Sequence, residues 1–148
     1  LYGVGLALGN YLGGRYADRS LDMTLVVSLL SVIVLLVVFS VTASSEILVA
    51  PLIFLWGIAS FALVPPLQSL VVHEAKEAPN LASAMNIGAF NLGNALGAML
   101  GAAMIKSGFG LSSVPLAGAG TAVLGLILVL WFRRGRQRRE QQALDPVC

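Results

Sequence analysis

Three ionisable side chains crowd one short stretch, GGRYADRS, in which Arg15, Asp18 and Arg19 follow Gly14. A carboxylate between two guanidiniums can make charge-assisted hydrogen bonds, an unusual concentration of charge beside so apolar a stretch. A second charged set, His73, Glu74, Lys76 and Glu77, lies in HEAKEAPN. His73 is the single histidine and Cys148 the single cysteine. A lone histidine without a nucleophile or a metal-ligand spacing makes a poor catalytic centre, so these charges read as a solvated loop or an ion pair. No metal and no enzymatic activity are expected. Uncharged groups offer different chemistry. Trp56, Phe61 and Gln68 fall in one apolar run, and Asn86, Asn91 and Asn94 in another. Aromatic rings and amides grip organic molecules. They also pack helices and hydrogen-bond between them, and both readings stand for these residues. GVGLALG, Gly3 to Gly9, superficially resembles a dinucleotide loop, but it lacks the strand and βαβ unit that such a loop requires. No cofactor is expected.

The elements that carry these residues are oily. Hydrophobic residues make up 57% of the 148 and charged ones 11%, against about 25% charged in soluble domains. Mean hydropathy is +0.88. Four runs are long enough to cross a bilayer: residues 21–44, 47–72, 81–105 and 111–132. Residues 1–14 form a fifth, partial span, and 133–148 a basic tail. The chain opens abruptly in apolar sequence without methionine or a signal peptide, which suggests an N-terminal truncation. The runs are too long for strands and do not alternate as barrel strands do. The fold class expected is therefore an all-α membrane protein, with a lipid bilayer as its first partner.

Five of the nine basic residues lie in RRGRQRR, Arg133 to Arg139. Nucleic acid is not expected as its partner, because a basic run directly after an apolar span more often marks the cytoplasmic side. That puts the C-terminus in the cytoplasm, with the loops at Arg15–Arg19 and His73–Asn80 on the same side. The loop at Ser44-Ser45-Glu46 and Lys106 then fall outside. Lys106 is the one dissenting charge.

The spans differ in kind. The first full one, after Asp22, is almost pure Leu, Val, Ile and Ser, which suits an outer helix facing lipid. The next carries Pro65-Pro66, and proline kinks a spanning helix by removing a hydrogen bond. The next sets Gly93, Gly97 and Gly101 on one side with Asn86, Phe90 and Asn94. Gly5, Gly9 and Gly13 repeat that spacing in the partial span. Small residues four apart let helices approach closely, so both ridges are expected to pack. No Asp, Glu, Lys or Arg lies deep in a span, so the main proton-coupling residue is not expected here.

Gly14-Arg15-Tyr16-Ala17-Asp18-Arg19 fits G-x-x-x-D-R between two spans. It resembles the signature loop of the major facilitator superfamily in its weaker C-terminal copy. The full signature continues with a glycine and two basic residues, where this chain has Leu21, Met23 and Thr24. NLASAMNIGAFNLGNALGAMLG, Asn80 to Gly101, is similar to the eleventh helix of the arabinose-efflux-permease-like, drug:proton antiporter branch. The resemblance covers essentially the whole chain, as helices eight (partial) to twelve of twelve. It implies a partial major facilitator fold and a bacterial inner-membrane, multi-pass secondary transporter. Such a protein exports a small molecule, a drug, sugar or similar metabolite, by alternating access with the proton gradient as energy source. It implies a gating role for Gly14, Arg15, Asp18 and Arg19, with Asp18 facing a helix of an N-terminal half that this chain lacks. It also implies that Arg15 or Arg19 pairs with Glu74 or Glu77. Trp56, Phe61, Gln68, Asn91 and Asn94 become the cavity candidates. The alternative is a non-transporting membrane scaffold or assembly subunit.

Overall fold

The computed structural model describes residues 2–42 and 46–144. Six helices follow one another: α1 (Tyr2–Ala17), α2 (Leu21–Thr42), α3 (Glu46–Phe61), α4 (Val64–Glu74), α5 (Pro79–Lys106) and α6 (Ser113–Leu144). No strand occurs among the described residues. Among the described residues four stretches are long and apolar enough to cross a membrane: Leu21–Thr42, Ile47–Glu74, Pro79–Lys106 and Ser113–Arg138. The end of the span expected at 21–44, the Ser44-Ser45 part of its loop, and Cys148 lie outside the described residues.

Local chemistry sets the helix ends. Ser20 caps α2, accepting a hydrogen bond from the Met23 N–H at 3.3 Å. Gly108 and Gly110, at φ of 83° and 81°, turn the chain from α5 into α6, in a backbone region that side chains rarely adopt. Three boundaries differ from the sequence reading. First, α1 continues past Gly14 to Ala17, and the Asp18 N–H donates to the Gly14 carbonyl at 3.2 Å. The signature motif is thus the last turn of a helix plus a three-residue turn, Asp18 to Ser20. Second, the run 47–72 divides into α3 and α4 at Ala62-Leu63. Pro65 and Pro66 have no N–H to donate to the Phe61 and Ala62 carbonyls, so the ladder stops there. They lie in the first turn of α4, where a missing N–H costs nothing. Third, α6 does not end with the apolar run at Phe132. It carries the arginines on to Leu144, and at 32 residues is about 48 Å long, well beyond the hydrocarbon core.

In packing, α1 lies chiefly on α3, and α2 chiefly on α6. The enclosed core is small: Ala17, Leu25, Ser28, Val32, Ala59, Pro66, Ala82 and Ala119, with Gly5, Gly9, Gly13, Gly57 and Gly101. Most large apolar side chains point outward, Val27, Val34 and Leu124 among them. In water such a surface would aggregate. In lipid it is the expected exterior.

Candidate functional site

Gly5, Gly9 and Gly13 of α1 meet the backbone of α3, and of Ala62 directly after it, in strict register. A Cβ at Gly5 would sit 2.6 Å from the Phe54 carbonyl oxygen, and one at Gly13 2.5 Å from that of Ala62. One at Gly9 would strike the Ile58 carbonyl and lie 2.9 Å from the Ile58 Cα. Both partners advance four residues at a time. Only hydrogen fits between the helices, and the geometry suits repeated Cα–H···O=C contacts. The Ala62 carbonyl is one that the prolines leave without a helical donor, and it rests on Gly13. The α5 glycines behave differently. A Cβ at Gly101 would lie 3.2 Å from Val114 Cγ1, but at Gly93 and Gly97 nothing lies within 4 Å.

A polar chain links α4 to α5. The Asn86 amide donates to Gln68 Oε1 at 2.6 Å, and the Gln68 amide donates to Ser83 Oγ at 2.5 Å. All three side chains are partly enclosed. Gln68 lies six residues, about 9 Å of helix, before Glu74. Asn91 and Asn94 continue along α5 and are exposed. Trp56 on α3 stacks on Tyr2 of α1, centroids 5.5 Å apart and planes at 20°. Phe61 is 37% exposed and immediately precedes the α3–α4 break. Gln68 and Asn86 are thus brought together, whereas Trp56 and Phe61 belong to a different part of the bundle. A double-mutant cycle on Gln68→Leu and Asn86→Leu is expected to give a coupling of about 0.6–1.7 kcal/mol. It would be read from unfolding of the complete polypeptide in mixed micelles. Zero coupling would mean that the two amides do not meet.

At the basic end the charges pair differently from the sequence reading. Glu74 Oε1 lies 3.5 Å from Arg136 Nη1, and among the described residues neither Glu74 nor Glu77 pairs with Arg15 or Arg19. Arg136 Nη2 also donates to Asp22 Oδ1, and Arg133 Nε is 3.7 Å from Asp22 Oδ2. Arg136 therefore joins the start of α2 to the end of α4 from α6. Arg15 instead donates to the Tyr11 hydroxyl at 3.4 Å, one turn back on its own helix. Asp18 and Arg19 are exposed. The physical reason is reach: α6 runs on past the membrane as helix and brings its arginines to Asp22 and Glu74. Asp22, Arg133, Arg136 and Ser83 are the residues that sequence reasoning missed. The available signal was phase, because Arg133 and Arg136 are three apart and share a helix face.

A groove of about 910 Å³ runs between α1, α2 and α3, lined by Leu12, Met23, Val27, Val34, Leu55 and Ile58, with Arg19 at one end. Two of its hydroxyls are turned onto the backbone of their own chain segment. Thr24 donates to the Ser20 carbonyl and Ser31 to that of Val27, both at 2.8 Å. Little polar capacity remains for orienting a solute, so the groove is an apolar surface rather than a substrate pocket.

The apolar spans, the break at Ala62-Leu63 and the glycine-spaced helices define a multi-pass α-helical membrane protein. The chain matches the sequence profile of the Major Facilitator Superfamily over residues 1–146, and it belongs to that family. It is 50% identical over 140 residues to the inner membrane transport protein YdhP of Escherichia coli K12, covering 95% of this chain and 36% of that one. It is 35% identical over 151 residues to the putative transporter AraJ of the same strain, covering 99% of this chain and 37% of the relative. It is 33% identical over 134 residues to a probable sugar efflux transporter of Helicobacter pylori 26695, covering 90% and 33%. The chain thus spans about a third of the length of the curated relatives it matches. No solved structure matches. Members of this family are transporters, and the chain is not an enzyme.

Proposed function

We propose that this chain is the C-terminal part of a bacterial inner-membrane efflux transporter, working by alternating access and driven by the proton gradient, with its basic end in the cytoplasm. The observation that carries the reading is the polar edge Gln68–Ser83–Asn86, continued by exposed Asn91 and Asn94, inside otherwise apolar spans. An uncharged amide edge suits a neutral, hydroxyl-bearing solute better than an ion. The relative named as a probable sugar efflux transporter points the same way. The substrate sits between this part and an N-terminal half, and the two rock to open the site to either side. Arg133 to Arg139 supports the orientation.

Asp18 is the gating residue in this reading. It is exposed, and among the described residues it has no ion-pair partner, so it is free to face a helix N-terminus of the other half. Efflux of a sugar panel from cells expressing the complete polypeptide is expected to stop on adding an uncoupler. Asp18→Asn is expected to slow that efflux about tenfold, equal to 1.4 kcal/mol, with membrane insertion unchanged. Efflux indifferent to the uncoupler would remove proton coupling, and unchanged efflux in Asp18→Asn would remove the gating role. No efflux of any solute would favour the scaffold alternative.

A further inference from the structure

The five arginines of RRGRQRR look equivalent in sequence, but the helix sorts them. Arg133 and Arg136 turn inward to Asp22 and Glu74. Arg134 and Arg138 turn the other way. Both are exposed, and among the described residues neither has a carboxylate within 4 Å. They are four residues apart, which puts two like charges one above the other on the helix surface about 5–6 Å apart. That arrangement opposes helix formation unless an anion lies between the guanidiniums.

The neighbouring residues say which anion. At about 100° per residue, Trp131, Arg134 and Arg138 lie within an arc of about 60°. Trp131 and Phe132 are 67% and 69% exposed and pack edge to face, centroids 5.5 Å apart. They close the apolar run, with the arginines one and two turns further out. A free phosphate would use the arginines and leave the rings idle. An acidic protein segment in water would do the same. A ligand with an anionic head and an acyl body uses both: the head meets the guanidiniums and a chain lies against the Trp131 ring on the same face.

We propose that Trp131, Arg134 and Arg138 form a binding site for an anionic phospholipid, its phosphodiester held between Arg134 and Arg138. Charge-assisted hydrogen bonds from two guanidiniums satisfy the phosphodiester oxygens and remove the repulsion within the pair. The aromatic pair sits at the depth where tryptophan favours the interface. The site is independent of the transport reading, because it needs only the membrane and this helix.

The test uses the complete polypeptide in detergent, with native mass spectrometry during titration by phosphatidylglycerol or by phosphatidylcholine of the same acyl chains. Phosphatidylglycerol is expected to bind more tightly. The double variant Arg134→Gln/Arg138→Gln is expected to weaken it about thirtyfold and to leave phosphatidylcholine unchanged, given roughly one basic residue's attraction to an anionic headgroup from each arginine. The single variant Arg138→Gln reads the same effect at about fivefold, should the double variant elute abnormally on gel filtration. Arg136→Gln is expected to leave lipid affinity unchanged. The proposal is overturned by equal affinity for the two lipids, by an unaltered double variant, or by Arg136→Gln weakening the lipid as much as the outward pair. Glycerol phosphate binding as tightly as phosphatidylglycerol would also overturn it, since the acyl body would then contribute nothing.

Discussion

Gly9→Ala is expected to destabilise the complete protein by about 1–3 kcal/mol, the range for overpacking a tight site. The added methyl group would meet the Ile58 carbonyl, Cα and carbonyl carbon together. These are backbone atoms, so no side-chain rotation relieves the clash. The helices must separate, and the contacts at Gly5 and Gly13 loosen with them. Gly88→Ala is the matched control. It lies within α5 with nothing within 4 Å, and alanine favours the helix by up to about 1 kcal/mol. The thermal midpoint in detergent should therefore fall in Gly9→Ala and hold or rise in Gly88→Ala. Equal midpoints would mean that α1 and α3 do not approach as described.

Arg136→Ala should have the next largest effect. Asp22 and Arg136 have side chains 25% and 31% exposed, between a surface pair worth about 0–1 kcal/mol and a buried pair whose breaking costs about 3–5. A loss of about 1–2 kcal/mol follows, with Arg133 remaining to answer Asp22 in part. Arg136→Lys should recover less than half, because a point charge cannot reach Asp22 and Glu74 as a planar fork does. The charge-exchanged double variant Asp22→Arg/Arg136→Asp should be more stable than either single one. The differences should shrink at 1 M salt, where screening acts over about 3 Å. Singles and double that are equally stable would show that the cluster contributes nothing.

Much of the bundle was legible because lipid permits so few solutions. An uncharged run from Met23 to Thr42 has no alternative to a helix. The glycine spacing marked Gly5, Gly9 and Gly13 as packing positions before any partner was known. What the pattern did not carry was the partner, since Phe54, Ile58 and Ala62 contribute backbone carbonyls that have no residue signature. The same limit applied to charge. Asp22 and Arg136 are 114 residues apart and meet because α6 stays helical beyond its apolar run, which pattern alone did not require. Gln68 and Asn86 were each legible as polar residues in oily spans. Their meeting depends on how α4 tilts after the Ala62-Leu63 break, a property of the tertiary fold.

The contacts between α1 and α3 also restrict how these helices can move. Three glycines sit opposite three carbonyls with matching spacing, like teeth in a rack. Sliding by less than one tooth would drive a Cβ-bearing neighbour into a carbonyl, and a whole tooth is about 6 Å of helix. Gradual shear along this seam is therefore blocked, and α1 and α3 travel as one body. Bending is favoured at the Ala62-Leu63 break, where the backbone ladder is already open. Reshaping along this seam falls to α4, pivoting beside a pair of helices that resist slipping.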